Sequence, residues 1–127
     1  MRGIHMISDL PFFQVFGSMA RYAAESQKVS AENIAHADEP GFKAQQIETF
    51  QEFMTRAAHG AEGAAEGAVT ATFKTADAHT PAKPNGNTVS LEQELFNSAD
   101  ALGQHNLAVT VYEKSLGLMR TALGKSR

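Results

Sequence analysis

Residues 91–124 read LEQELFNSADALGQHNLAVTVYEKSLGLMRTALG. Leu95, Leu102, Val109, Leu116 and Leu123 recur at seven-residue intervals, and Leu91, Ser98, His105, Tyr112 and Met119 interleave with them. That alternation is the 3.5-residue repeat of a coiled-coil seam, although an amphipathic helix lying on a globular core carries similar spacing. Ser90 followed by Gln93 predicts a capping box, and Gly124 predicts a stop, so the expected helix is about 50 Å long. A second stripe of Phe96, Leu107, Val111 and Leu118 falls on the side away from Val109 at about 100° per residue. A helix that is apolar on two sides needs neighbours on both.

The beginning of the chain repeats this design. Ser8 or Asp9 is placed to cap a helix with Pro11 in its first turn, and helical spacing continues to about Ala37. Phe13, Phe16, Ala20, Ala24, Gln27, Ala31 and Ile34 share one face, and Val15, Tyr22 and Val29 share the other. The Ala-rich main face predicts close approach to the bulkier leucine seam, in an antiparallel or crossing pair. Pro40 disfavours helix at Glu39, and Gly41 suits the positive φ of a type II turn, so Asp38-Glu39-Pro40-Gly41 ends the helix.

Between the long helices, Thr49 and Glu52 read as a capping box for a short helix carrying Phe50, Phe53, Met54 and Ala57, which Gly60 ends. Residues 60–87 are rich in Gly, Ala, Thr and Pro and read as a loop, or as a segment that orders on assembly. Val69, Ala71 and Phe73 alternate with polar residues, which allows one strand or hairpin arm there. The expected fold is mostly α: two long heptad-patterned helices packed as a coiled-coil-like pair, a short helix, and an irregular middle. Its expected parts are 1–43 (first helix and turn), 44–89 (short helix and variable middle) and 90–127 (second long helix), forming one domain in assembly.

Composition narrows the function classes. Eleven Lys and Arg against fourteen Asp and Glu, a net charge of −3 over 127 residues, supply no cationic excess for a phosphate backbone, so no nucleic-acid partner is expected. There is no cysteine, hence no disulfide or thiolate chemistry. Residues 1–16 lack a continuous apolar core and a small-residue cleavage site, so no cleaved signal peptide is expected, and no stretch reaches the ~20 apolar residues of a membrane span. The histidines at 5, 36, 59, 79 and 105 include no i, i+4 pair, and Glu92 and Glu94 suit a helix N-terminus through the macrodipole alone. No Walker loop, GxGxxG, GxSxG or HExxH occurs. No catalytic residue, metal or cofactor is expected, and the chain is not expected to be an enzyme.

Two runs carry a family resemblance. Asn33-Ile34-Ala35-His36-Ala37-Asp38-Glu39-Pro40-Gly41-Phe42-Lys43 resembles the N-terminal signature of the bacterial flagellar axial proteins, of the type Asn-x-Ala-Asn-x-x-Thr-Pro-Gly-Tyr/Phe-Lys. Asn85-Gly86-Asn87-Thr88-Val89 before an acidic helix start, with Leu118-Met119-Arg120-Thr121-Ala122-Leu123, is similar to the small proximal-rod members of that family. The likeness spans about 85 residues. His36 and Glu39 stand where the family usually has Asn and Thr, and His105 where an aromatic is common.

The resemblance implies a structural subunit of the basal-body rod in the periplasm, exported unfolded by the flagellar type III apparatus without a cleaved signal. Its implied partners are copies of itself, other rod and basal-body proteins, and that export apparatus. It assigns Asn33, Ala35, Pro40, Gly41, Phe42 and Lys43 to an assembly turn. Phe13, Phe16, Ile34, Leu95, Leu102, Val109, Leu116 and Leu123 are expected to pack the helices. Val15, Tyr22, Val29, Leu107, Val111 and Leu118 are expected to meet neighbouring subunits. One helix-pair interface is small against the entropy of ordering some sixty helical residues, so the free chain is expected to be partly unfolded. Another axial subunit would share the turn motif. A small helical adaptor or secretion chaperone would instead be a well-folded, discrete dimer.

Overall fold

The computed structural model describes residues 11–60 and 71–124. In chain order they form α1 (Pro11–Ala35), β1 (Gln45–Ile47), α2 (Phe50–Gly60), β2 (Thr75–Asp77) and α3 (Leu91–Gly124). The chain is mostly helical, with a small two-stranded sheet. Caps at Ser8 or Asp9, and the GAEGAAEGA run, lie outside the described residues apart from Gly60.

The helices start and stop largely as local chemistry dictates. At α2 both arms of the capping box are made: the Glu52 N–H donates to Thr49 Oγ1 at 3.1 Å, and the Thr49 N–H donates to Glu52 Oε1 at 3.0 Å. At α3 only half a box forms. The Gln93 N–H reaches Ser90 Oγ at 3.3 Å, but the Gln93 side chain turns along the helix to Asn97 Oδ1. Helix α1 ends two residues earlier than its spacing suggests, at Ala35, where tighter bonds from Ala37 N–H to Ile34 O and from Glu39 N–H to His36 O take over. Glu39 to Phe42 then make the expected type II turn: Phe42 N–H donates to Glu39 O at 3.2 Å, and Gly41 has φ +78°.

Strands β1 and β2 are antiparallel, Gln46 opposite Ala76. Strand β2 begins two residues after Phe73, and Val69 and Thr70 of the alternating run lie outside the described residues. Residues 71–74 are irregular because the Phe73 ring turns inward onto Phe53 and Tyr22, while Arg56 Nη2 takes the Thr72 carbonyl at 2.7 Å. Three apolar clusters result. Phe53 and Ala57 are buried with Phe73 against Tyr22 and Phe50. Ala37, Ala44 and Val89, with Phe42 and Ala78, fill the space under the turn. The third lies between α1 and α3.

Helices α1 and α3 run antiparallel, because the Phe13 ring meets Tyr112 at 5.6 Å near one end and Asn33 meets Glu94 near the other. The residues buried on α3 are Glu94, Ala101 and Ala108, seven apart, with Ser98, His105, Tyr112 and Met119 half-buried beside them. The period is the expected one and the phase is not. Leu95, Leu102 and Leu123 are exposed, and Val109 and Leu116 are half-buried at the margin. The two end contacts fix the rotation of α3, and small residues at 101 and 108 let the helices approach where leucines would hold them apart. On α1 the inward residues are Phe13, Ser18, Ala23, Val29, Ser30 and Asn33, while Ala24 and Ala31 are exposed.

Candidate assembly surface and its turn motif

The two signature runs, about fifty residues apart in sequence, pack into one unit. Asn87 is fully buried: its Nδ2 donates to the carbonyls of His36 (2.9 Å) and Glu39 (2.7 Å), and its Oδ1 accepts from the Val89 N–H at 2.8 Å. One side chain thus caps the carbonyls left open at the end of α1 and holds the extended segment leading to α3. Gly41 N–H donates to Asn85 O, Thr88 N–H donates to Phe42 O, and Ala44 N–H donates to Thr88 Oγ1. A Cβ on Gly86, whose φ is +86°, would lie 3.3 Å from Gly41 Cα, so the two turns touch backbone to backbone. His36 stacks on Phe42, with centroids 4.6 Å apart and planes 8° from parallel.

Asn33 is the second clasp. It is 1% exposed, bonded to both main-chain groups of Gln45, and its Nδ2 also donates to Glu94 Oε2 at 3.0 Å. Glu94 is 6% exposed, so it is more than a dipole complement on a helix surface; Glu92 is exposed. Among the described residues, no buried side-chain nitrogen or oxygen lacks a hydrogen-bond partner.

A third polar link ties α2 to the sheet. Arg56 donates to Glu48 through Nη2 and, at 3.3 Å, through Nε; the Lys74 N–H also donates to Glu48 Oε2, at 2.8 Å. Burial pushes the Glu48 carboxyl up, but these bonds and the nearby cationic charges outweigh it and hold the carboxyl below its ordinary value. The Tyr22 hydroxyl donates to Glu48 O at 2.6 Å. Burial first, and then the charges of Glu48 and Glu52, push that phenol up.

Of the turn residues, Asn33 is buried, Phe42 is half-buried, and Ala35, Pro40, Gly41 and Lys43 are exposed, Lys43 Nζ reaching Gly86 O at 3.4 Å. Of the packing residues, Phe13 is buried and Phe16 and Ile34 are half-buried. The outer stripe expected on α1 is used within the chain: Val29 is buried and Tyr22 packs against Phe50 and Phe73, with Val15 half-buried. The periodicity of α1 points Tyr22 and Val29 outward because it carries no information on where α2 and Phe73 pack. On α3, Leu107 and Leu118 are exposed and Val111 is half-buried. Asn87, Glu94 and the Glu48–Arg56 pair were missed as organising groups. For Asn87 the available signal was its place between Gly86 and the helix start.

With the stripes mapped, α3 carries exposed apolar side chains on two of its sides. Its small inward face is flanked on one side by the leucine series and on the other by Phe96, Leu107 and Leu118. Leu95 is 63% exposed and Leu118 72%. Among the described residues, no helix is long and apolar enough to cross a membrane, and no cluster of three or more His, Asp or Glu could hold a metal ion. No protein-family model matches the chain, and no curated protein matches it significantly.

Proposed function

We propose that the chain is a structural, non-catalytic subunit of the bacterial flagellar proximal rod, most like FlgB, which assembles through helix packing and transmits torque. The observation that carries this reading is the exposure of seven large apolar side chains on α3: Leu91, Leu95, Phe96, Leu102, Leu107, Leu118 and Leu123. Burying one such side chain is worth roughly 1.5 to 3 kcal/mol, so two stripes of them left in water favour association strongly. The mutual packing of the two signature runs supports the family reading, because residues joined in one hydrogen-bonded unit are expected to recur together. The α1–α3 contact is read as coiled-coil-like, with Glu94, Ala101 and Ala108 alternating with Ser98, His105, Tyr112 and Met119. Packed helices of this kind resist sliding because each knob must leave its hole, which suits a drive shaft. The rod lies in the periplasm, and the subunit reaches it unfolded through the flagellar type III export channel.

The test is fractionation of cells that carry the chain with a small tag. It should co-purify with detergent-extracted hook–basal bodies and be absent from preparations of mutants that stop before rod assembly. Absence from intact basal bodies overturns the reading. On the purified chain, helicity and light scattering should rise together with concentration; a discrete, fully helical dimer at every concentration would favour a helical adaptor or export chaperone.

A further inference from the structure

We infer that the cleft between α1, β1 and the start of α3 binds an aliphatic ammonium ion, held by the carboxylate of Glu94. The site is separate from the exposed stripes of α3 and does not depend on the assembly reading. The cleft has a volume of about 420 Å³, within the range of small-molecule sites, and both Glu94 and Asp100 line it. Carboxylates as buried as Glu94, 6% exposed, are ordinarily paired with a cation. Here Glu94 Oε2 accepts one bond from a neutral amide, Asn33 Nδ2, which also serves Gln45 O. The N-terminus of α3 adds only a partial positive charge. Among the described residues no cation reaches Glu94, and no Lys, Arg or His lines the cleft. Glu94 Oε1 has no hydrogen bond there either; since no buried side-chain oxygen lacks a partner, this atom opens to the cleft. A glutamine at 94 would serve Asn33 equally well, so the negative charge is surplus to the clasp.

The lining selects the kind of cation. A guanidinium is held best by a fork of two carboxylate oxygens, and Glu94 has one to give. Asp100 is exposed and uses only Oδ2, on Gln104 Nε2 at 3.1 Å. It stands six residues from Glu94, ~9 Å along the helix axis. That separation suits the two ends of an elongated cation better than one small ion, whose oxygen ligands sit at about 2.3 to 2.6 Å. Val29, Ile47 and Ala78 also line the cleft and give methylene groups an apolar wall. A compact ammonium on an alkyl stem uses each of these features. The lysine side chain of a neighbouring polypeptide and a free diamine both carry that chemistry, and the diamine alone can also reach Asp100.

The test is titration of the full chain with cadaverine, with Nα-acetyl-lysine amide and with guanidinium chloride, at fixed ionic strength and at a dilution where light scattering shows no assembly. Both alkylammonium probes should bind more tightly than guanidinium and shift the methyl resonances of Val29, Ile47 and Ala78. Glu94→Gln keeps an acceptor for Asn33 and removes the charge, so it should weaken both by about tenfold or more. Should that variant lose its circular dichroism, the methyl shifts of the parent chain carry the test. Cadaverine binding several-fold more tightly than the lysine amide, with that margin lost in Asp100→Asn, supports a free diamine. Equal binding of the two, unchanged in Asp100→Asn, supports a lysine side chain. Binding no tighter than that of guanidinium, binding unchanged in Glu94→Gln, or methyl resonances that stay in place would be the general attraction of an acidic chain for cations. Any of these overturns the inference and leaves the assembly reading untouched.

Discussion

The side-chain amide of Asn33 pairs with the main chain of Gln45 through both of its polar atoms: Nδ2 donates to the Gln45 carbonyl at 2.8 Å, and Oδ1 accepts from the Gln45 N–H at 3.0 Å. On the sheet, the bonds from Ala78 N–H to Ala44 O and from Glu48 N–H to Lys74 O set an alternation in which the polar groups of Gln45 point away from β2. A helix side chain therefore stands in for a third strand at the edge of β1, and through Glu94 the same amide holds the start of α3.

Asn33→Ala should accordingly cost more than an ordinary helix-surface change. It leaves the Gln45 groups and the Glu94 carboxylate short of a partner in a buried place, at about 2 to 3 kcal/mol. Asn33→Asp should be worse at neutral pH, since it removes the donor to Gln45 O and sets a second carboxylate against Glu94. Urea unfolding read as a midpoint shift at constant slope measures both; equal stability of N33A and the parent would contradict the clasp.

The two turn glycines should differ in their tolerance of alanine. At Gly41, φ is +78° but a Cβ meets nothing within 4 Å, so G41A carries the left-handed backbone cost alone, about 1 kcal/mol. At Gly86, φ is +86° and the Cβ also presses on Gly41 Cα at 3.3 Å, so G86A should cost about 2 kcal/mol or more. The order of the two in thermal or urea unfolding is the check; the reverse order would mean the turns do not touch.

The Glu48 carboxyl gives the fold an acid-sensitive link. Its value is lowered in the folded chain, so its contribution is present above the unfolded carboxylate range, near pH 4, and is lost as pH falls through the lower folded value. Glu48→Gln should lose about 1 to 2 kcal/mol at pH 7 and flatten the stability profile below about pH 4. Arg56→Ala should do the same and in addition free the Thr72 carbonyl. Unfolding free energy measured from pH 3 to 7 decides it: a parallel profile in E48Q would assign the acid limb elsewhere.

Local chemistry was legible in the sequence wherever a signal acts over a few residues. The type II turn at Pro40-Gly41 and the capping box of Thr49 and Glu52 depend only on near neighbours and stand where the residues put them. The seven-residue period of α3 was legible too, but its phase was not, because a helix apolar on several sides fits the same repeat in more than one rotation. What selects the rotation is distant in sequence: Asn33 holding Glu94 and Phe13 meeting Tyr112. Asn87 was hidden for a related reason. Its partners are the carbonyls of His36 and Glu39, and backbone groups carry no residue-type signature.

The phase of α3 makes the sharpest test, because the leucine seam and the alanine seam predict opposite outcomes for the same pair of substitutions. Ala101 is 4% exposed and Ala108 1%, so Ala101→Leu or Ala108→Leu must push α1 away and should cost about 1 to 3 kcal/mol by overpacking. Leu102 is 47% exposed, so Leu102→Gln should change the stability of the isolated chain by about 0.5 kcal/mol or less while weakening association. If Leu102 instead formed the intrachain seam, truncating it would cost about 2 to 5 kcal/mol and enlarging Ala101 on the outside would be nearly free. Unfolding of the two variants at a dilution where scattering shows no assembly separates these cases, and scattering of L102Q at high concentration then reads the outer stripe alone.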